Sequence, residues 1–274
     1  MPPEPSTDWQ FGEVSTQGVP MSAERRPRIS REELRALLLS AGRSIMLEEG
    51  LGTVADSLNF KRAYDRVEAE SGIKVVNASV IGRLWDSQAD YQTDVLVELA
   101  SDTSRSNVDD VAVVVADTLS HADLSTAEGR DATLTEVCRV VGEALSSALS
   151  RSAAWSVWIN LWVMATSTDL PDRHQRVLAK LMESYDTINR QGIETFGSLL
   201  TILGLRPRGN LTVAHFLNAA GALAEGCTLR DRVDSDMVGI VRPTGPGGED
   251  QEWTIHGIGL HALVCEFFEP DPGA

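Results

Sequence analysis

Two groups of residues could do chemistry in this chain. The first is polar and basic: Lys61, Arg62, Lys74, Asn77, Ser79 and Arg83, with Arg43 upstream. Lys and Arg neutralise phosphates, and Asn, Ser and Arg at the start of a helix can reach base edges in a major groove. The second group is Trp155, Trp158 and Trp162, spaced i, i+3, i+7. That spacing puts three indoles on one helix stripe, which can wall a pocket for an apolar or planar ligand or fill an ordinary core. Nothing resembles a catalytic or cofactor motif. There is no GxSxG elbow, no GxxxxGK[ST] loop, no GxGxxG after a strand and no HExxH. Gly245-Pro246-Gly247-Gly248 has no Lys or Ser partner and reads as a plain loop. The five histidines form no i, i+4 pair, and the three cysteines (Cys138, Cys227, Cys265) form no CxxC. The expectation is therefore a protein that is not an enzyme and holds no metal or cofactor.

Composition sharpens that division. The chain has 274 residues, 42% hydrophobic and 23% charged, with a net charge of −16. Residues 1–24 carry −4, residues 25–85 carry +3 and residues 86–274 carry −15. A locally basic segment thus sits on an acidic body, a pattern suited to a nucleic-acid-facing module attached to something else. No apolar run is long enough to span a bilayer, and Met1–Gln17 has no basic or apolar leader region. Widely spaced, odd-numbered cysteines suit a reducing cytoplasm.

The elements that must position these residues are helical. Residues 1–28 read as a disordered tail ending in the basic arm Arg25-Arg26-Pro27-Arg28. Ser30 and Glu33 fit a capping box for a first helix, stopped by Gly50 and Gly52. Phe60 to Gly72 reads as a second helix, Asn77 to Trp85 as a third, and a fourth starts near Ser87. Short helices joined by a Gly-containing turn describe a helix-turn-helix over 29–86, or a plain three-helix bundle with solvated basic residues. Beyond it, 87–274 reads as a larger all-α body. Its helices cover Val108–His121, Leu134–Leu149, Trp155–Ala165, Pro171–Leu203, Thr212–Arg230 and Trp253–Phe268, with no strand alternation.

This order of parts resembles the tetracycline-repressor-like (TetR) transcriptional regulators. The resemblance is carried by Ala41 with Leu47-Glu48-Glu49-Gly50, by the Glu70-Ser71-Gly72-Ile73 turn and by Asn77–Trp85, similar to the family's recognition helix. Asp86-Ser87-Gln88-Ala89-Asp90-Tyr91 is similar to the opening of its fourth helix, and Leu205–Arg208 with Leu223–Gly226 to the approach to its dimerisation helices. Gly82 and Gln88 stand where the family often has a phosphate-contacting Tyr and a Lys.

The resemblance implies a homodimeric regulator, more often a repressor, that binds a near-palindromic operator in double-stranded DNA and is released by a hydrophobic or aromatic effector. Arg43, Lys61, Lys74, Asn77, Ser79 and Arg83 are the expected DNA contacts. Met164, Tyr185 and Phe196 join the three tryptophans as expected effector walls. The dimer interface is expected at Ala214, Leu217, Gly221 and Ala224 on one helix and at Leu260, Leu263 and Phe267 on the last. The alternative, motivated by Gly82 and Gln88, is an all-α small-molecule-binding protein with a degenerate helix-turn-helix that no longer reads DNA.

Overall fold

A computed structural model describes residues 29–51, 58–102, 105–166, 172–233 and 239–273. The tail, its basic arm, Gly52 and Pro171 lie outside the described residues. Nine α-helices lie within them. The first four are α1 (Arg31–Glu49), α2 (Phe60–Ser71), α3 (Gln88–Asp102) and α4 (Arg105–Ser120). The rest are α5 (Ala127–Arg151), α6 (Ala153–Ala165), α7 (Asp172–Ile202), α8 (Val213–Asp231) and α9 (Ile255–Phe267). The all-α expectation holds, and no described helix is long and apolar enough to cross a membrane.

Local rules explain most boundaries. The Ser30 hydroxyl accepts from Glu33 N–H at 3.1 Å, and Glu33 Oε2 accepts from Ser30 N–H at 2.8 Å, completing the capping box. Asn59 caps α2, Thr126 caps α5, Ser152 caps α6, Thr212 caps α8 and Thr254 caps α9. Gly72 closes α2 in the left-handed region at φ 68°, where a side chain would be strained.

The expectation of no strands fails in a small way. Leu205–Pro207 (β1) pairs antiparallel with Phe268–Pro270 (β4), and Ile240–Arg242 (β2) with Gln251–Trp253 (β3). Three residues are too short to display a period of two. Trp253 therefore belongs to a hairpin; its indole N–H donates to Thr244 Oγ1 at 2.7 Å, and α9 starts two residues later than the Trp.

Two hydrophobic cores share one spine. The first joins α1, α2, Val80, Trp85 and α3 to Val157, Leu161 and Ala165 of α6 and to Val177 and Leu181 of α7. The second gathers α5, α9, Phe216 and Trp253 around Leu199, Leu200 and Leu203 at the other end of α7. Packing is therefore continuous across residue 86. At 31 residues, α7 is about 46 Å long, enough to serve both cores.

The second core is closed where α5 meets α9. A Cβ built on Gly142 would lie 2.3 Å from Gly257 Cα and 2.4 Å from its N, so the two backbones touch. His256, beside that contact, is buried, and burial pushes its imidazole down to about 4, leaving it neutral at pH 7. Gly142→Ala is expected to cost about 1–3 kcal/mol through overpacking. Gly197→Ala on α7 meets open space and is expected to gain about 0.5–1 kcal/mol from helix entropy. Urea unfolding of both variants checks the pair, and equal effects would rule out the α5–α9 contact as the cause.

Candidate functional site

The segment between α2 and α3 departs from the expected third helix. Only Asn77–Ser79 is helical, as a single 3-10 turn, and the chain then loops to Trp85. The cause is local. Gly82 sits at φ 73°, and its N–H donates to Trp85 O at 2.8 Å, turning the backbone back on itself. Val80 O accepts from the N–H groups of Arg83 and Leu84, at 3.1 and 2.8 Å. Val80 and Trp85 are buried and pin the loop at both ends. Apolar residues at 80, 81, 84 and 85 fit a helix period equally well, so the sequence pattern alone does not reveal the glycine turn.

The 74–83 segment is thus a basic edge, with Lys74, Asn77 and Arg83 all exposed. Lys74 and Arg83 have no ion pair among the described residues. The Ser79 hydroxyl donates to Val76 O at 2.6 Å and is already engaged. Arg43 is exposed on α1. Lys61 pairs with Asp65 at 2.9 Å, Arg62 with Glu49, and Arg66 with both Glu48 and Glu70. Hydrogen bonding to Glu48, then to Glu70, raises Arg66 further above its ordinary range. The basic face of α2 is thus matched by carboxylates of α1 and of α2 itself. Gln88 is also occupied, its Oε1 accepting from Phe60 N–H at 3.4 Å.

Asp94 of α3 ties this segment to the body. Its Oδ2 accepts from Arg35 of α1 at 2.6 Å and from the Trp85 indole N–H at 2.9 Å, while Oδ1 accepts from Arg176 of α7 at 2.8 Å. Arg35 also lies 5.5 Å from the Trp85 ring centroid. The Asp94 side chain is 12% exposed. Burial alone would raise its carboxyl, but Trp85, Arg176 and Arg35 together hold it below the ordinary carboxylate range. Sequence reasoning did not find Asp94, Arg35 or Arg176, because a carboxylate inside a helix carries no long-range signal of its partners.

The three tryptophans have different surroundings, and the indole N–H groups of Trp158 and Trp162 are buried without a hydrogen-bond partner among the described residues. Trp155 is buried beneath the Arg232 guanidinium, 5.0 Å from its ring centroid. The same guanidinium donates to Leu149 O, Ser150 O and Ser152 O, clamping the α5–α6 junction. Trp158, Trp162 and Met164 pack against the first core, and Trp162 meets Tyr185 edge-on at 5.8 Å. The Tyr185 hydroxyl donates to Asn218 Oδ1 at 2.6 Å. Helix α6 is apolar nearly all round, so spacing could not tell which side faces a ligand.

An apolar trench of about 590 Å³ lies elsewhere, between α4 and α7, with α5 and α9 as its floor. Of the residues expected to wall an effector site, Phe196 alone lines it. The rest of the lining, which was not expected, includes Val115, Leu119, Val137, Leu199 and Val264. It exists because α4 leans chiefly on α5, leaving its Val-rich side facing α7 across a gap. That Val-rich stretch was the available signal. The volume is within the range of small-molecule sites.

The expected interface residues divide. Ala214, Gly221 and Ala224 are half-buried on α8, and a Cβ on Gly221 would meet nothing. Leu217 packs on Gly192 of α7. Leu263 and Phe267 pack against the second core, and Leu260 is buried within it and lines the trench.

Comparison with protein-family models, curated proteins and solved structures finds no match to this chain.

Asp94→Asn is expected to cost about 1–2 kcal/mol at pH 7, a charged hydrogen-bond loss discounted for the exposure of both arginines. The folded carboxyl lies below the reference value of 3.8, so its contribution is full above that pH and is lost as pH falls through the folded value. Thermal melts from pH 7 to pH 2 should therefore show wild type and variant converging in acid. A constant gap at all pH values would mean that the charge of Asp94 is irrelevant.

Proposed function

We propose that this chain is a small-molecule-responsive transcriptional regulator that acts on double-stranded DNA as a homodimer. The observation that carries the reading is a shared helix. The loop bearing Lys74, Asn77 and Arg83 is bonded through Trp85 and Asp94 to Arg176 of α7, and the far end of α7 walls the apolar trench. A ligand that prefers one seating of α7 thereby biases where the basic edge lies. About 1.4 kcal/mol of such preference changes DNA affinity tenfold, and a repressor released by its effector needs little more. The outer side of α8, with exposed Ala222, Gly226 and Leu229, supports pairing of two copies through small and apolar residues. Two copies would set two such edges on one near-palindromic site.

A second reading is favoured by the loop itself: a ligand-binding protein without DNA recognition. Residues 80–85 offer no α-helix for a major groove, and all three α2 cations already face carboxylates.

Selection of the full chain against a random duplex library, without ligand, separates the two. The regulator reading expects an enriched near-palindrome and a linear fall of log affinity with log salt. Lys74→Ala and Arg83→Ala are each expected to weaken binding and to lower the salt slope by about 1. A folded protein that enriches nothing would leave the ligand-binding reading standing.

A further inference from the structure

We propose that the trench between α4 and α7 takes an uncharged, largely aliphatic molecule with one hydrogen-bonding end, and rejects carboxylates and phosphates. This rests on reading the trench as a ligand site.

The argument begins with what the walls are made of. Val115, Leu119, Val137, Leu199, Leu260 and Val264 supply branched aliphatic surface from all four helices. Phe196 contributes the one ring among the described lining residues, and it packs against Phe216 with centroids 4.7 Å apart. A planar aromatic ligand would therefore find little to stack on, whereas a flexible or alicyclic chain fits branched walls. Shape agrees. The lining runs from Val111 to Leu119 along α4 and from Gln191 to Leu203 along α7, about 12 Å and about 18 Å at helical rise. The trench is elongated.

Polar groups are confined to one rim. Gln191, Glu194, Thr195 and Ser198 line the exposed side of α7. The Ser198 hydroxyl donates to Glu194 O at 3.0 Å, while Gln191 and Thr195 make no side-chain hydrogen bond among the described residues. Those two amide and hydroxyl groups can serve an alcohol or amide end. No Lys, Arg or His lines the trench among the described residues. Burial pushes the Cys138 thiol up to about 12, so this lining group is also neutral at pH 7. An anionic end at this rim would gain no counter-charge and would meet the Glu194 carboxylate at close range.

The test uses the full chain and an uncharged aliphatic probe, tritiated 1-decanol followed by equilibrium dialysis, with unlabelled 1-decanol and decanoate as competitors at pH 7.5, each below its aggregation threshold. The expected result is probe binding, displacement by decanol, and displacement by decanoate at least about tenfold weaker. Glu194→Lys should narrow that gap from the decanoate side, with Glu194→Gln intermediate. Ala116→Phe, a substitution at the exposed α4 rim, should weaken probe binding. Decanoate competing as well as decanol would overturn the ligand class while leaving the trench a ligand site. No probe binding, or binding unaffected by Ala116→Phe, would overturn the trench itself and the proposal with it.

Discussion

A single carboxylate ties α1, α3 and the loop after α2 to the start of α7. Asp94 accepts from α1, from the loop after α2 and from α7, so four stretches of chain meet at one side chain. A carboxylate suits the post because it offers several acceptor sites and no donor. Its burial is unfavourable alone, and two guanidiniums and an indole offset that. The partners are mostly solvent-exposed arginines whose charge comes at little desolvation cost. Tyr91, on the same helix, adds a second tie by donating to Leu38 O at 2.9 Å. It fits only because Gly42 has no Cβ, which would lie 2.5 Å from the Tyr91 hydroxyl.

From that node α7 runs into the second core, and the consequences of its length follow. A helix embedded in two cores moves as a rod, so displacement at one end is felt at the other more readily than across a jointed chain. The trench lies along the C-terminal part of α7. On its other side α4 rests chiefly on α5, whereas α5 and α9 are locked by the contact of Gly142 and Gly257. The floor is therefore rigid and one wall is lightly held, an arrangement that admits a ligand at modest packing cost.

Much of the helical framework was legible in the sequence, and the reasons are specific. Ser30 with Glu33 and the glycines at 50 and 72 mark termini by side-chain and backbone chemistry. The long helices α5, α7 and α8 display enough turns for a 3.6-residue period to stand out. Three features were not legible. At 77–85 the apolar spacing mimics a helix, and a single left-handed glycine decides otherwise. On α6 nearly every position is apolar, so the indole stripe had no preferred side. Around the trench, the lining comes from four helices distant in sequence, and only their packing brings Val115 opposite Leu199. Phe196 stood out because rings are scarce, and it lines the trench; the aliphatic residues beside it did not, because valines and leucines are ordinary core residues.

Two features weigh against DNA recognition, and they are not of equal weight. The pairing of Arg62 and Arg66 with Glu49, Glu48 and Glu70 looks like neutralisation of a basic face. Yet these pairs are at the surface, where each is worth about 0–1 kcal/mol and is screened by salt. A phosphate can replace such a carboxylate with little loss, and the released counterions favour the exchange. The backbone at 80–85 is a stronger constraint. Glycine at φ 73° is unstrained, whereas in a helix interior it costs about 1 kcal/mol relative to alanine. The buried anchors Val80 and Trp85, and the indole bond to Asp94, are set for the loop. Recognition by this edge therefore depends on what a loop presenting Lys74, Asn77 and Arg83 can reach, and the ion pairs of α2 are secondary to that.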